Sequence, residues 1–367
     1  MKKTKKKRCY SGIGGQAVLE GVMMKNKDLY AVAVRKSNGE IVVDTQEFAG
    51  ILHDSVLKKI PFIRGVFNFI DSLTLGMKSL NYSASFYEDE DAKETAADKA
   101  VNKATGGKAE GVFMALTMVL SVVLSLAIFI ALPYYLSTLF ERFVRNTSLL
   151  NIIEGVIRIA IFLIYVAAIS LMKDIRRVYM YHGAEHKCIN CLERGRELTV
   201  ENVKRSSKQH RRCGTSFLLF VMLVSIILFF FITITQPVYR LLIRIALIPV
   251  VAGISYELIR IAGRYDNVFT RILSAPGMLL QKLTTREPDK EMIEVAIRSV
   301  EAVFDWKEFL KVNFDLDVDA DEQHESYDQD EADEQSGQAV QDKADEQSEQ
   351  VVQDEADVQS ESDGEDR

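Results

Sequence analysis

Leu149–Met172 reads LLNIIEGVIRIAIFLIYVAAISLM, apolar except for Asn151 and the pair Glu154 and Arg158. A helix needs about 20 predominantly apolar residues to cross a bilayer, so this stretch reads as a membrane span. Glu154 and Arg158, four residues apart, read as an ion pair within it. Three more stretches have a span's length: Gly111–Leu132, ended by Pro133; Thr215–Thr235, apolar throughout; and the weaker Val238–Ile261. In the last, Arg240 and Arg244 near one end are expected to snorkel to the outer interface. Glu257 near the other end is a candidate functional group, as any carboxylate in a membrane helix is, with Arg260 as its bland intrahelical partner. The expected fold is an α-helical membrane protein with four transmembrane helices, a small cytoplasmic N-terminal α+β region containing a β-hairpin, and a disordered acidic C-terminal tail.

Basic residues set the orientation. The segment 173–213 holds eleven Lys or Arg, against two in 133–149 and none in 236–239. With the basic N-terminus and Arg264, Arg271, Lys282 and Arg286 beyond the last span, the excess predicts a multi-pass cell-membrane protein with both termini cytoplasmic. The formal charge of -7 hides an asymmetry: residues 313–367 carry 22 Asp or Glu against 2 Lys or Arg, so the other 312 residues carry +13.

The segment between the second and third spans holds three of the five histidines and three of the four cysteines. On a helix, residues three and four apart share a face, so His182, Glu185 and His186 of Tyr181-His182-Gly183-Ala184-Glu185-His186 converge, in the H-x-x-E-H order of one class of zinc peptidases. His210 and Cys213 return a second pair just before the third span. These donor types suit a divalent ion, zinc first. The candidate ligands are His182, His186, His210 and Cys213, with Glu257 able to replace one, and Glu185 is the candidate general base. Four cysteines do not make a disulfide framework, and the three in this cytoplasmic segment read as reduced thiols or metal ligands.

The expected organisation is 1–87, a cytoplasmic N-terminal region with a β-hairpin and an interfacial helix; 88–110, a polar linker; 111–262, the membrane domain with its His/Cys loop 173–213; 263–312, cytoplasmic amphipathic helices; and 313–367, a disordered acidic tail. Lys2–Arg8 is a basic run without the apolar core of a signal peptide. Gly14–Met24 reads as a tight glycine turn. Leu29–Arg35 and Ile41–Phe48 flank Asn38-Gly39, a hairpin signal, and Pro61–Phe86 reads as an apolar helix, either interfacial or packed on the spans, or equally the buried core helix of a small cytoplasmic domain. Ala275-Pro276-Gly277 reads as a break, and Asp289–Val312 as one amphipathic helix. The tail repeats every 12 residues from Ala320-Asp321, with too little apolar content to fold alone.

Five stretches together resemble the YqhQ-like family of bacterial and plastid-lineage membrane proteins: Gly14–Met24, Tyr181–Lys187, Leu198–Asn202, Arg212–Phe217 and Gly253–Glu257. The resemblance covers roughly residues 10–310 and implies a membrane location and a suspected metal-dependent enzyme without an established substrate. Where the family tends to have proline before Arg212, this chain has Arg211. Cys188 is a local variation, so Cys188-Ile189-Asn190-Cys191 is not expected to be a required site.

Three functions follow from these residues. The first is a metal-dependent hydrolase with its site at the cytoplasmic membrane face. The second is a membrane scaffold with a structural metal. The third binds lipid headgroups or small anions through the basic loop. Besides the lipid bilayer and anionic headgroups, the expected partner is a protein that takes the acidic tail. No folded basic module with stacking aromatics is present, so nucleic acid is not an expected partner.

Overall fold

The computed structural model describes residues 8–53, 55–87, 108–232, 234, 236–265, 267–316 and 318. The linker expected over 88–110 falls mostly outside them, as do nearly all of the acidic tail and the basic run before Arg8.

The N-terminal region is a four-stranded antiparallel meander, in the order β1 (Gly14–Val18), β2 (Gly21–Asn26), β3 (Leu29–Arg35), β4 (Ile41–Glu47). The expected β3–β4 hairpin is present, with Arg35 opposite Ile41 and Gly39 at φ +87° in the turn. Gly14–Met24, expected to be only a turn, instead forms two strands joined at Leu19-Glu20. Its glycines serve close approach: a Cβ on Gly21 would overlap the Ala33 carbonyl oxygen. The large and small residues of Tyr30-Ala31-Val32-Ala33-Val34 point to different helices. Tyr30, Val32 and Val34 pack with Val18, Met23 and Leu75 of α1 (Ile63–Ala84). The alanine face receives α11 (Lys290–Glu301), whose Ser299 hydroxyl donates to the Ala31 carbonyl at 3.1 Å. Both faces are covered, which is why β2 and β3 are almost continuously buried.

The apolar segments follow. α2 (Lys108–Leu126) runs through a π turn (Ala127–Ala131) into α3 (Leu132–Thr138). Pro133 does not end this helix. The amide of Leu132 bonds the Ala127 carbonyl, five residues back, and this wider turn gives the proline ring the room an α-helix would deny it. α4 (Thr147–Ile169) comes next. Leu116–Thr138 and Thr147–Ile169 are each long and apolar enough to cross a membrane. α8 (Pro237–Ala246) and α9 (Ile248–Arg264) make a third span if counted through their 41° bend, which lies two residues before Pro249. α7 (Gly214–Phe230) is apolar but has only 17 residues.

The segment drawn as a basic loop is largely helical: α5 (Lys173–Leu192) and the short α6 (Val200–Lys204). α10 (Val268–Thr284) continues through Pro276, so the expected break is absent, and Gly277 lets it close on Ser216 of α7. The single helix expected over Asp289–Val312 is two, α11 and α12 (Trp306–Phe314).

Candidate metal centre

α5 carries the site on one stripe. His182, His186, Asn190 and Glu193 recur at helical spacing and face the segment 204–213, which is held by its own carbonyls. Buried Lys187 donates to those of Lys204 and Ser206 at 2.8 and 2.9 Å, and Asn190 to those of Ser207 and Gln209 at 2.7 and 3.0 Å. From the other side, Gln281 of α10 brackets His210, accepting from its amide and donating to its carbonyl, both at 2.8 Å. The chain thereby delivers Cys213 as the N-cap of α7, its sulfur accepting from the Thr215 amide at 3.4 Å.

Three predicted ligands meet here. The donor atoms of His182, His186 and Cys213 all lie within 4.8 Å of one another, with the two imidazole centroids 4.4 Å apart. Each histidine has Nδ1 against a backbone carbonyl, His182 against Thr284 at 2.9 Å and His186 against Lys208 at 2.7 Å. A carbonyl can only accept, so Nδ1 carries a proton in both rings, and Nε2 is the nitrogen turned toward the group, the one a metal would take in place of a proton. That is the usual outer-shell support of a metal-bound histidine. The Nε2 of His182 lies 3.2 Å from the Cys213 sulfur. Burial alone would raise the Cys213 thiol, but His182 and His186 outweigh it and hold it well below its ordinary value. The ligating form is therefore the favoured one. Burial would lower His186, but the facing Cys213 sulfur and Glu185 raise it to about 9.

Glu185 lies beside the group and is buried, with a carboxylate oxygen 3.4 Å from His186 Nε2. Burial raises its pKa, against the pull of His186 and His182. The Gly14–Met24 stretch is what encloses it: a Cβ on Gly15 would stand 2.8 Å from the Glu185 Cγ. Glu20, at the β1–β2 turn, pairs with Arg177 on the same helix.

Two predicted ligands sit elsewhere. His210 lies 5.8 Å ring-to-ring from His186, and its Nε2 points at Glu193, 3.6 Å away. Burial drops its pKa to about 4, so it is neutral at pH 7. Glu257 is held in a bidentate pair by Arg64 of α1, at 2.7 and 2.6 Å, with the anticipated Arg260 only at 3.6 Å. A carboxylate gripped by a planar guanidinium fork is committed away from a metal. Sequence reasoning missed Glu193, which gathers Arg8 at 2.9 Å, Arg212, and the amide and hydroxyl of Ser11 at 3.2 and 3.1 Å. Its signal was available, since it falls seven residues after His186 on the same helical stripe. Cys188 and Cys191 are free thiols outside the group, and burial raises both.

Gly183 has a positional reason. The strand of chain leaving α10 crosses α5 there, with the Arg286 amide bonded to the Tyr179 carbonyl at 2.8 Å, and a Cβ on Gly183 would overlap the Arg286 carbonyl oxygen. Gly183→Ala is expected to cost about 1–3 kcal/mol by overpacking against backbone and to pull Thr284 off His182. Thermal unfolding checks the first effect and metal content the second.

Compared with known proteins, residues 60–306 match the family described as "Protein of unknown function (DUF1385)". The chain is 37% identical over 289 residues to the uncharacterized protein YqhQ of Bacillus subtilis (strain 168), covering 78% of this chain and 90% of that one. No solved structure matches. The matched region contains all three convergent ligands together with Glu185 and Glu193, and on this extent of similarity the chain belongs to the DUF1385 family.

Proposed function

We propose that this protein is a metal-dependent hydrolase of the cell membrane, with four spans, cytoplasmic termini and its site at the cytoplasmic membrane face. In this reading α7 and the bent α8–α9 pair complete the span count. The observation that carries the proposal is the pair of Nδ1–carbonyl bonds, which turn the two Nε2 atoms toward one low-pKa cysteine sulfur. His182, His186 and Cys213 would hold the ion, zinc by donor type. Once bound, it would supply Lewis acidity at a position that three protein ligands leave open. The chain's own groups do the rest. Glu185, with its pKa raised by burial, takes and returns a proton beside the ligands. Gly15, lacking a side chain, lets β1 approach the carboxylate arm of Glu185 closely. The acidic tail is assigned to recruitment of a protein partner, and the bilayer and its anionic headgroups to the basic cytoplasmic surface.

The burial of the group favours a second reading, in which the ion only ties α5 to α7 as a structural clamp. Metal analysis of the purified full chain tests both. His186→Ala and Cys213→Ala are expected to lose the bound metal, by at least about tenfold in affinity, whereas Glu185→Gln keeps it. Hydrolytic activity lost in Glu185→Gln with metal retained supports the enzyme. Unchanged metal content in His186→Ala would refute the site in either reading.

A further inference from the structure

At the far end of the spans from Cys213, α4, α7 and α8 enclose a second polar cluster. Arg240 and Arg244 do not reach outward as anticipated. They turn in and bond the carboxylate of Glu154 and the side-chain amide oxygen of Asn151. Arg158 bonds the same carboxylate at 2.7 Å, as expected for the intrahelical pair. The side chains of Glu154, Arg244, Arg240 and Arg158 are only 1, 6, 9 and 12% exposed. One carboxylate therefore faces three guanidinium groups, an excess of two positive charges inside apolar surroundings.

Glu141, exposed at the same end, adds a negative charge that reaches Arg240 only at a distance and makes no ion pair with it among the described residues. Phe229 lies 5.0 Å from Arg244 and 5.7 Å from Arg158, and Tyr134 lies 5.1 Å from Arg240; ring faces soften a charge without cancelling it. Asn151 is used up on the Phe229 and Ile232 carbonyls at 2.7 and 2.9 Å. The Nε atoms of all three arginines are buried without a hydrogen-bond acceptor among the described residues. Three guanidinium groups that converge on one carboxylate through their Nη atoms, each keeping an orphaned Nε donor, ask for a second anion. Depth narrows its chemistry. Arg240 and Arg244 lie three and seven residues into α8, roughly 5 and 10 Å along its axis, and exposed Tyr135, Phe140, Phe143 and Tyr239 ring the same end. Such aromatics mark the headgroup layer, which is where phosphate oxygens lie.

We infer that Arg158, Arg240 and Arg244 form a binding site for a phosphate-class anion, either a lipid headgroup phosphate or free phosphate, separate from the metal centre. The test uses the full chain in a phosphate-free maltoside detergent and reads thermal unfolding. Inorganic phosphate, phosphatidylglycerol doped into the micelles, and chloride at matched ionic strength are compared. A rise in melting midpoint of roughly 5 °C at saturation is expected from a phosphate-bearing ligand and none from chloride. A rise with inorganic phosphate identifies a free-anion site, and a rise only with phosphatidylglycerol a headgroup site. No rise with either overturns the inference. Arg240→Gln is expected to abolish most of the rise while Glu154 keeps Arg158 and Arg244. Arg158→Gln, which leaves both α8 arginines on Glu154, is the second variant should the first not fold. A full rise in either folded variant places the anion on the basic cytoplasmic surface instead and overturns the assignment.

Discussion

Glu193→Ala is expected to lower stability by about 3–5 kcal/mol, the range for removing one partner of a buried ionic cluster, and to lower metal affinity with it. The carboxylate is 1% exposed and accepts from Arg8, Arg212 and Ser11 at once. Without it, Arg212 is left unpaired beside the residue that supplies the sulfur ligand, and the tie between α5 and the N-terminal segment is lost. Burial alone would raise this carboxyl, but His210 and Arg212 hold it well below the usual carboxylate range. The sign of the pH dependence follows. A carboxylate depressed on folding contributes its full stabilisation above its unfolded value of about 4.3 and loses it as pH falls through the folded value. Denaturant unfolding of the wild type should therefore weaken progressively below about pH 4.3, and Glu193→Gln should lack that part of the slope. A loss under about 1 kcal/mol in Glu193→Ala, the worth of an exposed pair, would show that solvent replaces the carboxylate and that the cluster does not hold the site.

The part of the site that could be read from sequence was local. His182, Glu185 and His186 lie within one and a half helical turns, so spacing alone predicted their convergence. Cys213 followed from its donor type and its place three residues after His210, just before an apolar segment. His210 went astray for a physical reason: its backbone is bracketed by Gln281, which turns its ring toward Glu193, and no spacing rule reports a contact 71 residues away. Glu257 went astray likewise, since its partner Arg64 lies 193 residues earlier on a helix that sequence could only call apolar. The N-terminal sheet was half visible. Asn38-Gly39 announced one hairpin, whereas the Leu19-Glu20 turn carries Glu20 at φ +48°, a conformation for which glutamate gives no signal. The glycines of Gly14–Met24 read as turn formers from sequence, whereas in the fold Gly15 admits Glu185 and Gly21 the Ala33 carbonyl. Membrane length was plain in composition. Whether a helix bends at Pro249 or widens at Ala127 depends on packing that composition does not contain.

Removing Glu154 should be as costly as removing Glu193, through the same physics at the opposite end of the spans. Glu154→Ala leaves Arg158, Arg240 and Arg244 with only Asn151 and Ser225 as polar side-chain partners among the described residues. Had Arg240 and Arg244 snorkelled to the interface, the substitution would break one i,i+4 pair and cost a few tenths of a kcal/mol. With both turned inward it exposes three like charges to one another in apolar surroundings, and a cost of about 3–5 kcal/mol is expected. The distinction is measurable by thermal unfolding in detergent. The double change Glu154→Gln with Arg158→Gln separates the causes further. It keeps side-chain volume and lowers the positive charge to two, so it should recover part of the loss that Glu154→Gln alone incurs. Equal instability in the single and the double variant would mean that lost packing, not uncompensated charge, dominates this cluster. Partial rescue of Glu154→Ala by a phosphate-bearing ligand is the outcome expected if the three guanidinium groups are held ready for an anion.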